Sequence, residues 1–241
     1  LDATKYIAPG AWNLFKSLYI TGDVDAAGSG LIYSVTSDSI SIINCVFSNA
    51  GTGQCVRLDD YITVVNCDFF CTAADHSQYV LYVDTYSYVA SCRITSSGSA
   101  PTGLLKIGAI SSAHQNIFYD MQDGDNDAAA IVMTVANYVN FITNNTFYNI
   151  DGDGIATTAA AQTAAPVVVM NNIFVDVDEF ALVNGYAATA DQYLYGQGNV
   201  YYDVGSDGST PMTDADWYGI SATTALGFIA LAADPCGNAA N

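Results

Sequence analysis

The chain has 241 residues, 51% of them hydrophobic, and carries 24 acidic against 5 basic side chains for a net charge of −19. That suffices for one domain with a full core, and no run of about 18 apolar residues is present to span a membrane. So acidic a balance excludes partners that need a basic face, nucleic acid and anionic membrane surfaces among them. Glu179 is the single glutamate; the other acids are Asp, a turn residue and hard-cation ligand, where Glu would favour helices. Leu1 is not an initiator Met and no signal peptide is visible, so a mature or trimmed, extracellular or cell-surface product is expected.

Residues 1–17 read as a lead-in whose Trp12, Leu14 and Phe15 could plug a first rung. From residue 18 short strands recur. Ser39 to Ile43, Tyr61 to Val65 and Pro166 to Met170 are β-branched and aromatic with period-two alternation. Each is followed by one four-residue shape: Asn44-Cys45-Val46-Phe47, Asn66-Cys67-Asp68-Phe69, Ser91-Cys92-Arg93-Ile94, Gln115-Asn116-Ile117-Phe118, Asn144-Asn145-Thr146-Phe147, Asn171-Asn172-Ile173-Phe174 and Gly198-Asn199-Val200-Tyr201. The copies are spaced by 22, 25, 24, 29, 27 and 27 residues. A further strand lies upstream of most copies, as in Cys55 to Leu58, Val80 to Val83, Leu104 to Ile107 and Ile131 to Thr134. Three short strands per repeat without helices predict an all-β parallel β-helix, a solenoid of about seven coils over 18–204. The segment 205–241 breaks the pattern. It holds a helical-turn candidate, 214–218, and one apolar strand, 226–229, and reads as a C-terminal cap or inter-subunit contact segment.

Stacking the coils makes two inner columns. Phe47, Phe69, Ile94, Phe118, Phe147, Phe174 and Tyr201 are expected to pile up about 4.8 Å apart. Two residues earlier run Cys45, Cys67, Cys92, Asn116, Asn145, Asn172 and Asn199. Buried Asn needs partners, and a ladder of amides supplies them, with Cys as a small buryable alternative. Parallel in-register side chains do not offer the disulfide torsion, so Cys45, Cys67 and Cys92 read as a thiol stack. Cys55 and Cys71 could pair across a turn, and Cys236 stands near the end. No Cys-x-x-Cys occurs and His76 and His114 lie far apart, which speaks against zinc.

The Asn-Asn-x-Phe turn followed by a short apolar strand resembles the right-handed β-helix of the pectate-lyase-like superfamily, over roughly residues 18 to 204. The resemblance is specific for fold. It implies that the upstream strands form the sheet lining a substrate groove. The motifs of its well-known active members, Trp-Ile-Asp-His, Arg-Ile-Lys and Gly-His-Gly, do not occur in this chain.

Chemistry-bearing residues concentrate on the upstream strands. Arg57, Tyr82 and Lys106 share one offset, each a residue before inward Leu58, Val83 and Ile107. They are expected to point outward on consecutive rungs, Arg57 and Lys106 about 10 Å apart around Tyr82. Asp59 and Asp84 flank them as substrate-binding candidates. A cation, a phenol and carboxylates on one sheet are the catalytic parts of a polysaccharide lyase; they are equally a charge-balanced surface. Asp123, Asp125 and Asp127 alternate as in a calcium loop, but Ala128 stands where an EF-hand has Gly. Asp151 with Asp153, and Asp176 with Asp178 and Glu179, are weaker calcium candidates of the same kind. His76 reads as a loop residue and His114 as a sheet residue. The sequon at Asn144 is discounted because Asn144 sits at the ladder turn.

Three functions remain open. The first expectation is an extracellular, non-catalytic structural or adhesive protein that associates with itself end to end into a filament or surface layer. The alternatives are a lyase-like polysaccharide enzyme and a glycan-binding module, both using the face around Arg57, Tyr82 and Lys106.

Overall fold

The structure is a computed structural model that describes residues 6–10, 12–25, 29–36, 39–98, 101–122, 128–134, 139–158, 167–185, 194–205 and 228–230. Every strand pair is parallel, and each strand pairs with its counterpart one coil away. Three sheets result. The first has eight strands, from Leu14–Lys16 to Leu194–Gln197; the second has nine, from Tyr19–Gly22 to Phe228–Ala230; the third has seven, from Gly30–Tyr33 to Leu182–Gly185. The described residues contain no helix. The predicted solenoid is therefore the observed architecture. Its first sheet begins at Leu14–Lys16, which pairs with Ser41–Ile43 inside the stretch expected as a lead-in.

The recurring four-residue shape turns the chain from the first sheet into the second. Asn44, Asn66, Ser91, Gln115, Asn144 and Asn171 all have φ between 55° and 58° there. Asn reaches that left-handed region more readily than most residues because its short polar side chain bonds locally. Gly198 fills the same place with φ 68°, without the steric cost a Cβ would bring.

Inside, the expected columns form. Phe47, Phe69, Phe118, Phe147 and Phe174 are fully buried, each contributing about 1.5–3 kcal/mol of burial. Their rings stack at 5.0 Å for Phe47 on Phe69 and Phe118 on Phe147, and at 4.5 Å for Phe147 on Phe174. Beside them the amide ladder is continuous. Asn145 Oδ1 accepts from the backbone N (2.9 Å) and Nδ2 (3.0 Å) of Asn116, and Asn172 Oδ1 does the same for Asn145. Each Nδ2 also donates to a first-sheet carbonyl, as Asn145 does to Ala113 O at 3.0 Å. Cys92 N joins the ladder through Asn116 Oδ1 at 2.9 Å.

One regular feature goes beyond the sequence reading. From strand Ile117–Met121 onward the second sheet carries an extra residue, and its register to Arg93–Ser96 shifts there. The extra residues are Asp120, Asn149, Asp176 and Asp203, all with φ between 51° and 56°. A left-handed single-residue insertion is a bulge, and short Asp and Asn side chains tolerate it. Asn149 Nδ2 donates to Asp120 Oδ1 at 2.8 Å, linking two of these bulges.

Candidate functional site

The third sheet brings Arg57, Tyr82 and Lys106 together as the spacing predicted. Arg57 pairs in register with Tyr82, and Tyr82 with Lys106; Tyr33 precedes them in the same column. The side chains alternate as aromatic and cation along the solenoid. The Arg57 guanidinium carbon lies 5.7 Å from the Tyr33 ring centre and 5.0 Å from that of Tyr82. Lys106 Nζ lies 4.4 Å from the Tyr82 ring and 5.8 Å from that of Tyr79, and donates to the Tyr82 hydroxyl at 3.1 Å. Each cation thus lies close to two rings, each contact worth about 0.5–1 kcal/mol where exposed. Tyr6 meets Tyr33 edge-on at 5.3 Å. Burial, and then the neighbouring Tyr82, push the Tyr79 hydroxyl pKa above its ordinary value. Beyond Lys106 the column continues as Val132, Ala156 and Val183, so the polar ladder ends there.

The carboxylates lie at the end of these strands. One oxygen from each of Asp59, Asp60 and Asp84 lies within 4.8 Å of the others, all three residues half-buried. Asp60 Oδ1 accepts from Thr85 N at 3.1 Å, and Asp84 Oδ1 from Thr85 Oγ1 at 3.3 Å. Gly108 makes room for them: a Cβ there would stand 2.1 Å from Asp84 Oδ1. Three carboxylates at this separation could hold a hard divalent cation, or accept several hydroxyl hydrogens.

Next to them Tyr61 and Tyr86 stack in parallel at 4.7 Å, their residues 49% and 44% exposed. Both have φ near 58°, a conformation that costs a bulky residue about 1–3 kcal/mol. Sequence reasoning named Asp59 and Asp84 but missed Asp60, Tyr61 and Tyr86. A signal was present. Tyr61 follows Arg57, and Tyr86 follows Tyr82, at one common offset, which a column-by-column alignment of the repeat exposes.

The other sequence candidates lie elsewhere. Asp123, Asp125 and Asp127 fall outside the described residues. Asp153 is buried, and its Oδ1 accepts from Phe180 N at 3.1 Å, so this carboxylate ties its coil to the next. Asp178 has a raised pKa from burial and then from repulsion by Asp151, Asp176 and Asp203. His114 lies on the first sheet, its Nδ1 2.8 Å from Thr143 Oγ1. His76 lies in a loop as expected, and its side chain is fully buried there, with Nδ1 3.2 Å from Ser96 Oγ. Burial pushes its pKa down to about 4. A shallow groove of about 460 Å³ follows the turn between the first and second sheets. Its wall includes the bidentate pair in which Arg93 Nε and Nη2 donate to Asp68 at 2.7 and 2.5 Å.

Comparison with protein families matches residues 24–195 to the model described as a right handed beta helix region. Comparisons with curated proteins and with solved structures returned no match. No helix among the described residues is long and apolar enough to cross a membrane.

Proposed function

The chain belongs to the right-handed β-helix family, and we propose that it binds an extended polysaccharide along the outer face of its third sheet without chemically altering it. Family membership supplies the scaffold only, because function resides in the site. The observation that carries the reading is the ladder Tyr33, Arg57, Tyr82, Lys106, one side chain per rung and in register. A linear polymer with a short repeat meets a ring and a cation in turn at successive rungs. Tyrosine offers an apolar ring and a polar tip together, which suits a sugar's mixed surface. The half-exposed Tyr61 and Tyr86 and the carboxylates of Asp59, Asp60 and Asp84 extend the platform sideways. With net charge −19, a neutral or sparsely acidic glycan fits better than a polyanion. Such polymers place the protein outside the cell or at its surface.

Binding is favoured over lysis because the lyase motifs Trp-Ile-Asp-His and Arg-Ile-Lys do not occur in the chain. The Tyr82 hydroxyl accepts from Lys106, and both cations contact the Tyr82 ring. The test is affinity electrophoresis against a panel of soluble neutral and uronate polysaccharides. At least one glycan should retard the wild type, Tyr82→Ala should lose ten-fold or more in affinity, and Arg93→Ala on the second sheet should bind normally. Retardation by no glycan in the panel, or equal retardation of Tyr82→Ala, would refute the reading. Unsaturated sugar released by the wild type, read as ultraviolet absorbance, would favour the lyase instead.

End-to-end self-association is a second reading, favoured by the first rung. Phe15 and Ile20 occupy inward positions but are only partly buried, unlike their partners Ile42 and Phe47. Leu14 and Tyr19 beside them are 62% and 72% exposed. Light scattering across a salt series separates this reading from a monomer, since screening should strengthen contact between acidic copies.

A further inference from the structure

We infer that Cys55 and Cys71 become joined by a disulfide as the chain folds, stapling strand Gln54–Arg57 of the third sheet to strand Asp68–Cys71 of the second. The two sulfurs lie 3.4 Å apart, and Cys55 Sγ also approaches Phe70 O at 3.3 Å. A disulfide bond is about 2.0 Å long, so closure asks for a shift of about 1.4 Å, within reach of small side-chain rotations. The geometry is selective. Cys45, Cys67 and Cys92 each donate to the carbonyl two residues back, at 3.3, 3.3 and 3.2 Å. Those three stack in the ladder on parallel strands with parallel side chains, the arrangement that disfavours the disulfide torsion. Cys55 and Cys71 instead meet across a corner, from strands of different sheets.

Burial sets the timing. Cys55 and Cys71 are 0% and 1% exposed, so no oxidant reaches them once the coils have closed. Burial also pushes the Cys71 thiol pKa up, keeping it protonated and unreactive in the finished fold. The bond therefore forms during folding, by exchange with a small-molecule or protein disulfide. The Cys55 thiolate attacks one sulfur of that oxidant, giving a mixed disulfide and releasing one oxidant thiol. The Cys71 thiolate then attacks the Cys55 sulfur and expels the second. Two electrons and two protons pass from the cysteine pair to the oxidant, which leaves as two thiols. The state of the pair thus records the compartment in which the chain folded.

The test is peptide mapping of the full chain after denaturing alkylation. Samples are refolded in glutathione redox buffer or in excess dithiol reductant, and prepared from oxidising and from reducing host compartments. The oxidised samples should carry two alkyl groups fewer than the reduced ones and yield a linked Cys55–Cys71 peptide, with Cys45, Cys67 and Cys92 alkylated; the reduced samples should show no link. Cys55→Ser folded oxidatively should leave Cys71 as a free, alkylatable thiol. The inference is overturned if the oxidised samples carry only free thiols. It is likewise overturned if the dominant link is Cys67–Cys92 or involves Cys236, or if Cys71 finds another partner in Cys55→Ser.

Discussion

The two halves of the inner ladder solve one problem with different chemistry. In the C-terminal half Asn116, Asn145, Asn172 and Asn199 form an unbroken amide chain, the oxygens of Asn145, Asn172 and Asn199 each accepting two hydrogens from the rung before. In the N-terminal half the same column holds Cys45, Cys67 and Cys92, where Cys45 N reaches the Cys67 sulfur at 3.3 Å. A thiol is a weak donor and acceptor, so this half is held more by packing than by directional bonds. The halves differ outside as well, since the bulges at Asp120, Asn149, Asp176 and Asp203 begin where the Asn ladder begins. A solenoid is a sum of rungs and their neighbour contacts, so the two chemistries can coexist in one stack.

Replacing a ladder residue in each half tests that contrast. Asn145→Leu removes two bonds from Asn116 and two of its own, to Ala113 O and Asn172 Oδ1. It should cost about 3 kcal/mol, the penalty for stranded buried donors. Cys67→Ala should cost about 1 kcal/mol, because little more than a weakly bonded sulfur is lost. Urea unfolding with unchanged slope gives both values. Equal losses would mean that the amide bonds add nothing to the stack.

The N-terminal half also holds the buried imidazole, which gives it a pH response. His76 titrates at about 4 in the fold against an ordinary 6.5. Between those values the unfolded chain binds a proton that the folded chain refuses. Stability from this group is complete above about pH 6.5 and is lost as pH falls toward 4, by up to about 3 kcal/mol. His76→Gln removes that component. Its stability relative to wild type should therefore improve between pH 7 and pH 4.5, and a constant difference between the two would contradict the burial of a neutral ring.

Much of the fold was legible because solenoid coils repeat their constraints. The positions of Phe147 and Asn145 recur at matching offsets in every coil, filled by Phe, Ile or Tyr and by Asn or Cys, and one period explains both columns. The ladder Arg57, Tyr82, Lys106 was legible for the same reason, as three residues at one offset before an inward aliphatic residue. His76 was not legible. Nothing in its loop marks it as buried, and its partner Ser96 is 20 residues away. The burial of Asp153 was not legible either, because a carboxylate that accepts from Phe180 N looks identical in sequence to an exposed one.

By itself the sequence determined the parallel solenoid, the inner columns and the outward alignment of Arg57, Tyr82 and Lys106, because strand alternation and a repeating turn act locally and identically in each coil. Only the tertiary structure decided which side chains meet across the corners. There Tyr61 stacks on Tyr86, Asp60 joins Asp59 and Asp84, and Cys55 faces Cys71. Those contacts depend on how far each loop bends between two sheets, and loop length and backbone angle vary from coil to coil while the strand pattern stays the same.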